Sequence, residues 1–304
     1  MTITGQPTDI PLPTAAPPAS GSPTPSPLVL DLDPDELETL AVLVHAAAKV
    51  GKTTLTSTAP LPLCALDAEG GWKFIKRVGF CRAGVHGGPD CPCPRLRRRK
   101  WDPVREPPPR HDGTWDFCHV MVRDWQTLDM ARQWLASTQP HDFASLVMDS
   151  VTEAQRRLKL QLVGSEAMKI QDWGNLLTKM DSLIRGFRDL VLVPNSPLKL
   201  VVFIAETRET NGKWTPYMQG QISVSLPYWM DVVGYLFPEA VADANGQPTG
   251  TIRRLLVGSH PQFVTGERVQ GRLGDVIDSP HLGRILDQVF GRTAPAALAV
   301  PPLS

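Results

Sequence analysis

Short apolar runs recur along the chain, each closed by polar residues. Leu40-Ala-Val-Leu-Val44 precedes Gly51-Lys52-Thr53, and Leu63-Cys-Ala-Leu66 runs into Asp67-Ala68-Glu69-Gly70-Gly71. Phe117-Cys-His-Val-Met-Val122 leads into a helical spacing from Trp125 to Leu135, with Leu128, Ala131 and Leu135 on one face. Phe143-Ala-Ser-Leu-Val-Met148 meets Asp149-Ser150, and helical patterns follow at 151–163 and 172–192. Leu198 to Ala205 is the most strand-like run, and Asn211-Gly212 beyond it is a strong hairpin signal. Apolar runs of this length, separated by helical segments, are what parallel strands buried on both faces look like. The expected fold class is α/β, a mostly parallel sheet flanked by helices. Ligands in such sheets collect at the carboxyl ends of the strands, so the polar residues closing each run are the candidates for chemistry.

Composition narrows the picture. The chain has 304 residues, 42% of them hydrophobic, enough for one substantial core or two smaller ones. Thirty prolines are many, and they are densest in the first 27 residues. Residues 1–27 are rich in Pro, Ser, Thr and Ala and nearly uncharged, which predicts a disordered tail. Residues 292–304 read as a second flexible tail, and 28–291 as one domain interrupted by a Cys/Arg-rich insertion at about 79–116. Lys+Arg and Asp+Glu are both 31, so any polyanion binding rests on local patches. No apolar run reaches the roughly 18 residues of a membrane span, and no charged-then-apolar leader opens the chain. A soluble protein without a membrane partner is expected. Five cysteines in so long a chain suit a reducing compartment such as the cytoplasm.

Ala46-x4-Gly51-Lys52-Thr53 fits the phosphate-loop pattern G-x-x-x-x-G-K-[ST], with alanine in the first position. In that reading Ala46, Ala47, Ala48, Lys49, Val50, Gly51, Lys52, Thr53 and Thr54 bind nucleotide through loop N–H groups. Lys52 reaches the β/γ-phosphates and the Thr53 hydroxyl holds Mg²⁺. The competing reading is a helix from Glu36 to Val50 with a chance GKT at its end. Gly51 disfavours it, since glycine within a helix costs about 1 kcal/mol. Asp67-Ala68-Glu69-Gly70-Gly71 is either a solvated turn or a turn presenting Glu69 to an attacking water. Asp149-Ser150 either supplies a helix N-cap, from the Asp or the Ser, or presents Asp149 as a Mg²⁺-binding carboxylate. Glu206 and Arg208 close the fifth run, where a residue can sense the γ-phosphate.

In this order, the phosphate loop, D-A-E, D-S and VVFIAETRE resemble the RecA-like P-loop NTPase core. The resemblance spans roughly Leu40–Phe237 without the insertion. It implies ATP and Mg²⁺, with Lys52 binding phosphate, Glu69 activating water, Asp149 supporting the metal and Glu206 as sensor. Glutamate stands there where the family carries glutamine. The wording LDAEGG with VMDSVTEAQ is similar to short RecA-like ATPases of bacteriophages that serve single-strand annealing and recombination, often labelled AAA-type nucleotide-binding proteins. That implies single-stranded DNA as partner, a homo-oligomeric ring or filament, cooperation with a single-strand-binding protein, and the cytoplasm of a bacterial host. A neighbour's arginine, Arg253 or Arg268, would complete the site.

Arg208, Lys213, Trp214 and Tyr217 interleave cations with aromatics, a pattern suited to single strands. Arg95–Lys100 (RLRRRK) suits a DNA backbone or is a solvated charge run. Cys81, Cys91, Cys93 and Cys118, with His86, His111 and His119 near them, are a candidate Zn²⁺ set or incidental loop cysteines, the spacing matching no standard knuckle. Two other functions fit the same residues. One is a nucleotide-switched P-loop module, such as a helicase loader or packaging component. The other is a zinc-containing DNA-binding protein with a degenerate P-loop.

Overall fold

Strand β1 (Leu40–Ala46) is buried throughout, yet successive side chains go to opposite faces. Leu40, Val42, Val44 and Ala46 enter one core, and Ala41 and Leu43 the other. The same alternation runs through β2 (Leu63–Asp67), β5 (Ser145–Asp149) and β6 (Leu200–Thr210), and it makes the sheet the partition between two apolar layers. The computed structural model describes residues 38–81, 91–193, 196–242 and 247–292. The tails expected at 1–27 and 292–304, apart from Arg292, and the histidine at 86 lie outside the described residues.

The remaining strands are β3 (Arg98–Lys100), β4 (Phe117–Met121), β7 (Lys213–Pro216), β8 (Val232–Ala242), β9 (Pro248–Leu256), β10 (Gly266–Glu267) and β11 (Val276–Asp278). The main order is β11-β9-β8-β1-β6-β5-β2-β4-β3, parallel from β8 to β3, with antiparallel β9 and β11 extending one side. Helices α2 (Trp125–Ala136), α3 (Val151–Val163) and α4 (Ile170–Arg188) cover one face, joined by α5 (Ile222–Tyr228). Helices α1 (Lys52–Thr56) and α6 (Leu282–Val289) lie on the other. The α/β architecture expected from the apolar runs, a mostly parallel sheet flanked by helices, is therefore present.

Local chemistry sets the boundaries. Asp124 caps α2, its carboxylate accepting the Thr127 N–H at 2.8 Å, and Ser150 caps α3 through the Glu153 N–H at 3.2 Å. The helix expected at 172–192 starts at Ile170, stops at Arg188 and tightens into a 3-10 turn over Asp189–Leu192. The segment before Gly51 is strand and loop, which excludes a helix from Glu36 to Val50 among the described residues. The described part of the insertion, 91–116, carries more regular structure than its composition predicts. It supplies edge strand β3, and Trp101 and Trp115 are buried against Phe143. No helix among the described residues is long and apolar enough to cross a membrane.

Candidate functional site

The loop after β1 turns through two left-handed residues, Lys49 (φ 65°) and Gly51 (φ 108°). Glycine is needed at 51 for a second reason. A Cβ there would stand 2.6 Å from the Phe80 ring. Ala47, Ala48 and Lys49 are exposed, Val50 and Thr54 half-buried, and Lys52 buried. The Lys52 ammonium donates to the carbonyls of Ala46 (3.2 Å) and Ala47 (3.0 Å), so it lies across the loop. Burial lowers its pKa, while the carboxylates of Glu69, Asp149 and Glu206 act in the opposite direction. Three acidic residues from three strand ends thus share one cation.

Asp67 and Asp149 are register partners at the ends of β2 and β5, and they do different work. Asp67 is saturated: it accepts the N–H groups of Gly70 (2.6 Å), Gly71 (3.1 Å) and Trp72 (3.2 Å), and His119 Nε2 lies 2.9 Å from it. It builds the turn that presents Glu69. Asp149 accepts one bond, from the Thr53 hydroxyl at 2.6 Å, and its Oδ1 is buried without a partner. Burial pushes its carboxyl up to about 7, with Glu69 and Asp67 adding to the rise against the Thr53 bond and Lys52. An orphaned carboxylate oxygen beside a threonine hydroxyl is a fitting donor pair for a hard divalent cation. Gly71 keeps this corner open, since a Cβ there would lie 3.3 Å from Thr53 Oγ1.

Glu69 is exposed, and the Ser150 hydroxyl donates to its Oε1 at 2.5 Å. The Asp149–Ser150 peptide bond is cis. Arg157 Nη2 donates to the Ala68 carbonyl at 2.6 Å and so steadies the same turn from α3. Glu206, beside Ala46 in the β1/β6 register, is gripped by Arg156 in two bonds of 2.6 and 2.7 Å. That pairing satisfies the anion which the Gln-to-Glu departure introduces. Arg156, Arg157 and Phe80 were not singled out from the sequence. The arginines project from α3, both about two turns beyond Asp149, and that spacing was the available signal.

The two arginines considered for a neighbour's site are engaged within the chain. Arg253 Nε donates to the Val50 carbonyl at 3.5 Å, with its guanidinium 5.4 Å from the Phe80 ring, on its own phosphate loop. Arg268 donates to the Tyr228 carbonyl, in a groove of about 600 Å³ that also includes Thr210 and Lys213. The β6–β7 hairpin turns at Asn211 and Gly212, both with positive φ, as expected. Arg208 and Lys213 are exposed. The aromatics are not open platforms: Tyr217 has the guanidinium groups of Arg208 at 5.4 Å and Arg156 at 5.9 Å, and half-buried Trp214 is tied by its backbone to Gln262 and Val264.

The four-cysteine set needs correcting. Cys81, Cys91 and Cys93 have their sulfurs within 4.8 Å of one another. Cys118 is apart from that group, buried on β4 opposite Cys64, where burial pushes its thiol up to about 12. Apolar packing accounts for it. His119 belongs to Asp67, and His111 contacts the Trp115 carbonyl at 2.8 Å. Beyond β4, a groove of about 560 Å³ is lined by Lys73, Arg98, Lys100, Arg105 and Arg123, with Asp102, Glu106 and Asp124 among them.

The family model described as AAA domain matches residues 38–269, about three quarters of the chain. No curated protein matches the sequence.

Proposed function

The chain belongs to the AAA domain family of P-loop ATPases, and from that premise we propose that it binds and hydrolyses ATP and couples turnover to single-stranded DNA in phage-type recombination or annealing. The observation that carries the catalytic part is the convergence at the carboxyl ends of β2 and β5: the Thr53 hydroxyl donates to Asp149 at 2.6 Å, Ser150 holds Glu69 at 2.5 Å, and Lys52 lies within the electrostatic reach of both carboxylates. Loop N–H groups and Lys52 hold the phosphates. Thr53 and Asp149 would hold Mg²⁺, which when bound neutralises phosphate charge. Glu69, exposed on its turn and oriented by Ser150, accepts a proton from the attacking water. Glu206, fixed by Arg156, lies on the strand beside the loop and is placed to report the γ-phosphate to the hairpin that continues β6.

The DNA part is supported by cations at both ends of this surface. Arg208 and Lys213 are exposed on the hairpin, and the second groove carries five cations to three anions. With no net charge, attraction of a polyanion depends on such patches. A homo-oligomeric ring or filament and a single-strand-binding partner belong to the same proposal.

Glu69→Gln tests the assignment, because it separates binding from chemistry. Turnover is expected to fall about 100-fold or more, the range of a lost general base, with affinity for a fluorescent ATP analogue retained. Unchanged turnover would reduce Glu69 to a turn residue and favour a nucleotide-switched module.

A further inference from the structure

A two-armed strap packs against the phosphate loop. Residues 76–80 and 93–96 form this strap, held by two backbone bonds, which together make the antiparallel bridge of Arg77 with Arg95, and by one side-chain bond. Leu96 N–H donates to the Lys76 carbonyl (2.9 Å) and Val78 N–H to the Pro94 carbonyl (3.1 Å). Arg77 Nη1 reaches the Cys93 carbonyl at 2.5 Å. The strap is fixed to the end of α1 through Gly79 N–H and the Ser57 hydroxyl, at 2.8 Å. At its tip Phe80 packs on Gly51, and Cys93 Sγ lies 3.8 Å from the Phe80 carbonyl. Cys81 follows Phe80 directly, and Cys91 and Cys93 come from the returning arm.

We infer that Cys81, Cys91 and Cys93 form a thiolate site for one soft divalent cation, Zn²⁺ by preference, that locks the strap and holds Phe80 against the phosphate loop. The sulfurs lie within 4.8 Å of one another, and Zn–S bonds of about 2.3 Å in tetrahedral geometry place sulfurs roughly 3.8 Å apart. Only a small contraction separates the two. Three thiolates select zinc over magnesium, which prefers oxygen, so this site does not compete with Thr53 and Asp149 for the nucleotide's cation. The fourth position takes water or another donor. Zn²⁺ with three thiolates carries one negative charge, and the Arg77 guanidinium at the Cys93 carbonyl offsets it. Metal binding then stabilises the strap directly, since loop closure and ligation are linked. The metal site stands independently of the ATPase reading. Its effect on the phosphate loop rests on that reading.

The test uses the full chain, reduced and stripped of metal, then titrated with Co²⁺. A sulfur-to-cobalt charge-transfer band is expected to saturate at one Co²⁺ per chain and to be displaced by Zn²⁺. It is expected to disappear in Cys93→Ser and in Cys91→Ser, with circular dichroism confirming that each variant is folded. Absence of the band in the wild type, its survival in both folded variants, or a disulfide joining two of the three cysteines after reduction would each overturn the site. A second readout tests the clamp. Stripping zinc is expected to weaken binding of a fluorescent ATP analogue about 3- to 10-fold, a loss reproduced by Phe80→Ala, which keeps the cobalt band. Equal affinity with and without zinc overturns the clamp. Nucleotide binding absent in both states counts against the proposed function instead, and the cobalt band still decides the metal site.

Discussion

Two aspartates face each other across β2 and β5, and their hydrogen bonds separate scaffold from site. Asp67, with three backbone N–H donors and His119 around it, has no capacity left for a ligand. Asp149 has one, and its raised pKa records the cost of burying a carboxylate whose Oδ1 has no hydrogen-bond partner, a cost that the shared charge of Lys52 offsets only in part. The sign follows from linkage. Its folded pKa of about 7 exceeds the unfolded 3.8, so the native state holds a proton that the unfolded chain releases. This carboxyl's contribution is therefore fully favourable below pH 3.8 and is lost as pH rises through 7, at about 1.4 kcal/mol per unit. His45, buried and lowered to about 4, has the opposite slope over part of that window, so the comparison has to be with a variant. Asp149→Asn is expected to raise the thermal midpoint of nucleotide-free protein at pH 8 and to abolish further stabilisation by Mg²⁺-ATP. Melting curves at pH 6 and 8 check this, and a lower midpoint for the variant at pH 8 counts against it. Gly51→Ala faces both a positive φ and the 2.6 Å approach of Phe80, and should cost more than about 2 kcal/mol. Phe80→Ala in the same chain should recover only the steric part in denaturant unfolding.

The elements most legible in the sequence are those whose burial is two-sided. Runs at 40–44, 63–66 and 198–205 became β1, β2 and β6 because a strand covered on both faces has to be apolar throughout. β3 was hidden, since Arg98-Arg99-Lys100 reads as a charge run; an edge strand tolerates such residues, and they discourage pairing with other chains. β8 was hidden by Gly234 and Pro238. Gly234 allows Leu255 to pack where a Cβ would come within 2.7 Å, and Pro238 lies beyond Val232–Tyr235, the stretch that pairs with β1. The hairpin was legible in its turn but not in its chemistry, because the partners of Trp214 and Tyr217 come from distant segments. Its cations remain the exposed groups. Arg208→Ala and Lys213→Ala are each expected to lower the salt slope of single-strand binding by about 0.7, one phosphate contact. Fluorescence anisotropy of a labelled oligonucleotide at several salt concentrations measures it, and unchanged slopes would remove the hairpin from the DNA path.

On the scale of the whole molecule, the sheet order does what no motif alone specifies. β6 lies between β1 and β5, so the phosphate loop faces Asp149 across one strand, and Glu206 ends the part of β6 that pairs with β1, beside the loop. Candidate residues separated by as many as 160 positions in sequence, from Ala46 to Glu206, converge because each ends a parallel strand. That convergence was readable in outline from the polar residues closing each run. The supporting contacts were not, since Arg156, Arg157 and Phe80 find their partners in distant segments that only the tertiary geometry brings near. The central claim is that these strand ends form an ATPase coupled to single-stranded DNA. Its most direct test is ATP turnover with and without single-stranded DNA, wild type beside Lys52→Ala. The account predicts DNA-stimulated turnover in the wild type and none above background in Lys52→Ala; turnover unaffected by that substitution would contradict it.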